Sequence, residues 1–413
     1  MKGSAMSIFK FFFLRVFLRK PLLSLTVFLL LLAGNYIAFT TVRTIVSTIE
    51  GAQEASRLTS SEIVVSNLDP NSNLDFEKIT ETRLQEIYNF LSSKYEYGLF
   101  TDGYIVDLPN RYDVEIPAVY MNQTYSNLNG FAIASGEGIT FESRVESSDL
   151  IPVLVGRGLT EDYPVGSTFT MVDPVLHMPK EYVVKGILAE NTAHSNLYAL
   201  DSKQYYNFSI VVPVTEDFIE KTDLAFKLNG LMDLVLINAT AQEIKELQSY
   251  IKQIIAVDFN YFSEQQNIDF YNQYFKSSIN FLAVVSVILL VAIILLSVWS
   301  SLISVRTMIR EFTINLLVGL SYKKFRRIFF SYYAGLSLLA LIVIFVLAAY
   351  SRQSFWIKKD AYFMTYGSFG GLIFMDWVGI TAALIVDVLI AVVVSKIAVY
   401  RVKRIPITVG VLQ

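Results

Sequence analysis

Asp387 stands inside an apolar run, TAALIVDVLIAVVV, and Asp376 precedes it in the same run. Asn35 occupies a comparable place in LLAGNYIAF. A carboxylate at the centre of a membrane helix costs about 2.5–3.5 kcal/mol on insertion scales. Three uses fit such a residue. It can pair with a polar group on a neighbouring helix, Asn35 being the candidate. It can respond to protons. It can simply pack as a satisfied structural side chain.

A second group lies in Val305–Phe330, VRTMIREFTINLLVGLSYKKFRRIFF. Met308, Ile309, Phe312 and Leu316 share one helical face, while Arg306 and Arg310 share another, with Glu311 beside them. Gly319 is placed to end that helix and Ser321 to cap the next. A short amphipathic helix with a tight turn before an apolar run can lie under a membrane. It can present its basic face to a partner, or it can serve only as an anchor.

Other chemistry is absent from the sequence. There is no cysteine, which excludes disulfides, thiolate metal sites and thiol nucleophiles. The two histidines, His177 and His194, read as ordinary surface or core residues. No phosphate-cradling G-x-x-x-x-G-K-[ST], no H-E-x-x-H and no G-x-S-x-G occurs. The chain therefore reads as a non-enzyme that binds no cofactor of its own, and nothing points to nucleic acid.

The elements that must position these residues follow from hydropathy and charge. The chain is 413 residues long and 53% hydrophobic. Its formal net charge of −3 conceals an asymmetry. Arg43 to Lys276 carries 16 Lys and Arg against 33 Asp and Glu, and the remainder 18 against 4. Four runs reach the roughly 20 apolar residues a transmembrane helix needs. They predict spans at 21–41, 278–304, 328–350 and 371–395. The first run is too long for a signal-peptide core and shows no cleavage site, so it reads as an uncleaved span.

Lys10, Arg15, Arg19 and Lys20 precede span one. Arg306, Arg310, Lys323, Lys324, Arg326 and Arg327 lie between spans two and three, and Lys396, Arg401, Lys403 and Arg404 follow span four. The positive-inside rule puts these segments, and both termini, in the cytoplasm. The acidic 42–277 region and the 351–370 loop then lie outside. Residues 1–20 predict a cytoplasmic amphipathic helix, or an extension of span one. Residues 305–327 form a cytoplasmic loop and 396–413 a cytoplasmic tail.

The 42–277 region predicts an α+β domain inserted between helices one and two. Stalk helices are expected at Thr44–Leu58 and Ser263–Ser277. Strands are expected at Ser61–Ser66, 103–108, 114–121, 152–156, Val211–Val214 and Leu231–Asn238, and a hairpin over 165–188 turns at Asp173-Pro174. Helices are expected at Phe76–Lys94 and Thr240–Ile255.

The loop resembles that of the MacB/FtsX-like ABC-transporter permease family, the type VII or mechanotransmission group. That family's pattern is R-x-[RK]-E-I-x-[IL]-L-x-[AS]-x-G-[AM]-S-x-x-x-[IL]. Arg306, Arg310, Glu311, Phe312, Ile314, Gly319, Ser321 and Phe325 follow it loosely, with Leu317-Val318-Gly319-Leu320 in place of Ala-Leu-Gly-Ala. Pro164–Ser167, Tyr182–Leu188 and Ile405-Pro406 are similar to further family patterns. The resemblance implies a MacB-like periplasmic core type of outside domain and a bacterial plasma-membrane protein. It implies a second permease, identical or not, and a cytoplasmic ABC ATPase that carries ATP and Mg and docks on Arg306–Val318. An extracytoplasmic adaptor or cell-wall protein is a further partner it allows. The expected function is ATP-driven export or extraction of peptide, antimicrobial or lipid-like substrates. Two alternatives stand beside it: an FtsX-like regulator of a cell-wall hydrolase, and a receptor or structural protein without an ATPase.

Overall fold

The computed structural model describes residues 21–55, 63–72, 75–142, 150–196, 199–263, 266, 269, 273, 276–307, 309–358, 369 and 371–404. The expected N-terminal helix of 1–20, Ile405-Pro406 and most of the second stalk fall outside the described residues.

In chain order, α1 (Pro21–Ala55) leads to β1 (Ile63–Leu68), α2 (Glu81–Lys94), β2 (Glu96–Gly98), β3 (Phe100–Val106), β4 (Ile116–Asn122), α3 (Gln123–Asn129) and β5 (Ile133–Gly136). There follow β6 (Ile151–Val155), β7 (Thr168–Asp173), β8 (Met178–Leu188), β9 (Ala193–Asn196), β10 (Ala199–Tyr205) and β11 (Ile210–Val214). Then come α4 (Glu216–Lys221), α5 (Leu224–Met232), β12 (Val235–Ile237), α6 (Ala241–Ile255) and β13 (Phe259–Ser263). The chain closes with α7 (Ser277–Thr307), α8 (Ile309–Leu317), α9 (Tyr322–Lys358) and α10 (Phe374–Lys403).

Two compact units result, one comprising Met1–Val46, Ser278–Ser351 and Leu372–Gln413, the other Ser47–Ser277 and Arg352–Gly371. In the helical unit, α1, α7, α9 and α10 are long and apolar enough to cross a membrane. Each outruns its expected span. At 1.5 Å per residue, the 37 residues of α9 reach about 55 Å, well beyond a hydrocarbon core of about 30 Å. The helices continue because their polar flanks, such as Lys396 to Lys403 on α10, keep helical backbone bonds beyond the apolar run.

The α/β unit contains a four-stranded antiparallel sheet, β13-β1-β12-β2. A seven-stranded mixed sheet runs β3-β4-β11-β6-β8-β5, with β7 on β8. Its β4–β11 and β6–β8 pairs are parallel. The fully buried runs β6 and β11 suit such two-sided burial. α2 buries Leu84, Ile87, Tyr88 and Leu91 and packs on α5 and α6.

Local chemistry sets the boundaries and corrects several expectations. α2 begins at Glu81, not Phe76, because Thr80 accepts the Arg83 amide at 3.4 Å. The expected strand from Leu231 is in fact the end of α5 followed by a strand of only Val235–Ile237. Asp223 caps α5 by accepting the Phe226 amide at 2.7 Å. The β7–β8 hairpin is held by Asp173, whose Oδ1 accepts the amides of Val175 and Leu176 at 3.0 and 3.1 Å. Arg352–Gly371 belongs to the α/β unit, where the Phe369 amide donates to Asn191 Oδ1 at 2.8 Å.

Candidate functional site

The short helix α8 is shaped by its two ends. At its C-terminus Gly319 takes φ +103°, a backbone state that L side chains rarely adopt. The Gly319 amide donates to Leu316 O at 3.1 Å and the Leu320 amide to Asn315 O at 2.9 Å. This pair of bonds is a Schellman cap. Ser321 then starts α9, accepting the Lys324 amide on Oγ at 3.3 Å and the Phe325 amide on its carbonyl at 2.9 Å. Among the described residues, 305–327 is therefore almost wholly helical, with a tight elbow at Gly319 and Leu320.

One face of α8 is anchored. Phe312 is fully buried, its ring 4.9 Å from Phe325 and 5.5 Å from Phe329. Ile309 is buried beside it and Leu316 packs at the margin. The other face is open. Arg306 and Arg310 are exposed, as are Ile314, Leu317 and Val318, the last at 83%. Glu311 is half-buried. Among the described residues, none of Arg306, Arg310, Lys323, Lys324, Arg326 and Arg327 forms an ion pair. Met308 lies outside the described residues.

The structure brings Asn35 and Asp387 together. Asn35 Nδ2 donates to Asp387 Oδ2 at 2.9 Å, joining α1 to α10, with both residues buried. Gly379 allows this approach, since a Cβ there would meet Phe39 Cδ2 at 2.9 Å and Phe39 O at 3.0 Å.

Asp376 does not join that pair. Eleven residues of helix separate it from Asp387, about 16 Å. It occupies the first turn of α10, where the helix dipole favours a negative charge. There it accepts the Ile373 amide at 3.1 Å and faces Arg43 Nε at 3.2 Å.

Sequence reasoning missed Arg43, although it follows the uncharged run of α1 directly and so stood at the same end as Asp376. It also missed the Thr41–Ser286 hydroxyl pair at 2.7 Å, which links α1 to α7. Hydroxyls in apolar runs carry no signal that tells a paired one from an unpaired one.

In the α/β unit, Glu50 pairs with Lys203, and Glu54 with His194 Nδ1 at 2.8 Å. The last turns of α1 are thus bound to β9 and β10. A cavity of about 200 Å³ is lined by Phe100, Thr101, Asp102, Asn229, Met232 and Asp233. Burial pushes the Asp102 carboxyl up, against the opposing effect of His194 and the Tyr206 hydroxyl. Among the described residues, no three His, Asp or Glu side chains are grouped to hold a metal.

No family model and no curated protein matches this sequence. Among solved structures, the periplasmic region of MacB from Actinobacillus actinomycetemcomitans is 10% identical, with a TM-score of 0.32. The match covers 52% of this chain and 95% of that one. The extracellular domain of the noncanonic ABC-type transporter YknZ from Gram-positive bacteria is 12% identical, with a TM-score of 0.28. That match covers 49% of this chain and all of the other. Likenesses this distant decide neither fold nor function.

Proposed function

We propose that this chain is the permease subunit of an ABC transporter in a bacterial plasma membrane, with both termini in the cytoplasm. A separate cytoplasmic ATPase, carrying ATP and Mg, docks on the open face of α8. A second permease, identical or not, completes the complex. Substrates are exported or extracted on the side of the α/β unit and are of peptide, antimicrobial or lipid-like chemistry.

The observation that carries this reading is the α8 elbow. It combines a face locked by Phe312, Phe325 and Phe329 with an opposite face of unpaired Arg310 beside exposed Leu317, flanked by exposed Arg306 at the end of α7 and Val318 just past α8. Charged and apolar groups side by side, unpartnered and stiffly mounted, suit a protein that pushes on them. Motion of the elbow would pass to α9 through the phenylalanine cluster. α1 is one uninterrupted helix, and its Glu50 and Glu54 are held within the α/β unit, so displacement of α1 would reach that unit. The sequence resemblance of the 305–330 loop supports the same docking site.

The test is copurification of the tagged full chain from its native membrane, followed by ATPase assay. Recovery of an ATP-binding subunit, lost with Arg306→Glu/Arg310→Glu, is the expected result. A chain that purifies without any ATPase under mild detergent would end the proposal.

A further inference from the structure

The Asn35–Asp387 hydrogen bond uses one oxygen of the carboxylate and the nitrogen of the amide. The other oxygen of each side chain, Asn35 Oδ1 and Asp387 Oδ1, is buried and has no hydrogen-bond partner. Asn35 is 0% and Asp387 3% exposed. Ser337 on α9 is also buried, and its hydroxyl lies beside Asp387 without closing a well-formed hydrogen bond to it. Two leftover acceptors on one bonded pair are what a missing hydrogen leaves behind.

Among the described residues, no cation is placed to neutralise the site. Residues 22–42, 278–305 and 328–350 contain no Asp, Glu, Lys, Arg or His, and within 377–395 Asp387 is alone. Of the flanking charges, Arg43 is engaged by Asp376 and Lys396 is exposed. Within those apolar stretches the remaining titratable groups are tyrosines. Tyr36 and Tyr350 are exposed, Tyr332 donates to Ser24 Oγ at 2.7 Å, and Tyr333 is buried one turn before Ser337.

We propose that Asp387 and Asn35 form an exchangeable proton site inside the helical unit. The proton sits on Asp387 Oδ1 and is donated to Asn35 Oδ1, closing a two-bond ring between carboxyl and amide. Uptake forms one O–H bond and release breaks the same bond; nothing else is exchanged. With the proton, α1 and α10 are latched by two hydrogen bonds; without it, one bond remains beside a bare charge. A metal cation fits less well, because hard cations take about six or more oxygen ligands and Asp387, Asn35 and Ser337 offer four side-chain oxygens. The site goes beyond the transport reading and does not require an ATPase.

The test is infrared spectroscopy of the full chain in nanodiscs. The expected result is a protonated-carboxyl C=O band near neutral pH that is absent in Asp387→Asn and declines as the buffer is made alkaline. Asn35→Leu should move that band to higher wavenumber, because the acceptor is gone. Should Asp387→Asn fail to fold, Asp387→Glu and carbon-13 aspartate labelling identify the band instead. Absence of any Asp387-dependent band from mildly acid to neutral pH overturns the site. So does its disappearance on adding sodium at constant pH, which would make the metal cation the occupant.

Discussion

Arg43 Nε lies 3.2 Å from Asp376 Oδ1, fastening α1 to the first turn of α10. The Asp376 side chain is 1% exposed and that of Arg43 33%. The other Asp376 oxygen accepts the Ile373 amide, so both arms of the carboxylate are committed. Together with Asn35–Asp387, this gives α1 and α10 two polar contacts, well separated along the helices.

Removing the cation alone therefore strands a buried charge. Arg43→Ala should cost about 1–3 kcal/mol, less than a fully buried pair because water reaches the guanidinium. Arg43→Ala/Asp376→Ala should recover most of that loss. Thermal melting of the detergent-solubilised chain measures both; a single mutant as stable as the parent would show the pair to be idle.

How much of this was legible beforehand depended on the kind of signal. The apolar runs around Asn35 and Asp387 named their helices directly, since nothing but a long helix accommodates them. The capping chemistry of Gly319 and Ser321 was readable because each residue type has one strong local use. α5 was not, because Leu231 and Val235 look alike in sequence and only Asp223 and the tight fit of Gly230 against Tyr88 and Leu99 separate helix from strand. The place of Phe369 in the α/β unit depends on Asn191 and Phe208, far away in sequence, and leaves no local trace.

The two faces of α8 should respond differently to substitution. Phe312→Ala removes a side chain packed on Phe325 and Phe329 and should cost about 3–5 kcal/mol of stability. Arg310→Glu alters only an exposed side chain and should stay within about 0.5 kcal/mol. It should nonetheless weaken ATPase capture at least tenfold, about 1.4 kcal/mol. Equal effects of the two variants on melting would contradict this division.

Gly319→Ala should damage the elbow without touching either face. At φ +103° an added Cβ is strained although no neighbour lies within 4 Å. The expected cost is about 1–3 kcal/mol. Hydrogen exchange should quicken at Gly319 and Leu320, whose amides close the cap, more than in the middle of α9. Unchanged protection there would mean the turn tolerates a side chain.

Asp173 predicts a pH dependence whose sign can be worked out. It is fully buried and accepts the hydroxyls of Tyr182 and Tyr120 at 2.7 and 3.2 Å. Burial pushes its carboxyl above the ordinary 3.8, outweighing those hydrogen bonds and the Val175 and Leu176 amides. The folded state then holds the proton more tightly than the unfolded chain. Its stabilising contribution is complete below the ordinary value and is lost as pH rises through the elevated one. Asp173→Asn stays neutral throughout and lacks this loss. It should be destabilised at acid pH, where an amide replaces a carboxyl that matched two tyrosines, and should gain on the parent as pH increases above 3.8. Hydrogen exchange of β7 and β8 amides, compared between the two chains at successive pH values, reads the difference. A parent that gains on Asp173→Asn over that interval would reverse the sign and show that the hydrogen bonds, not burial, govern the carboxyl.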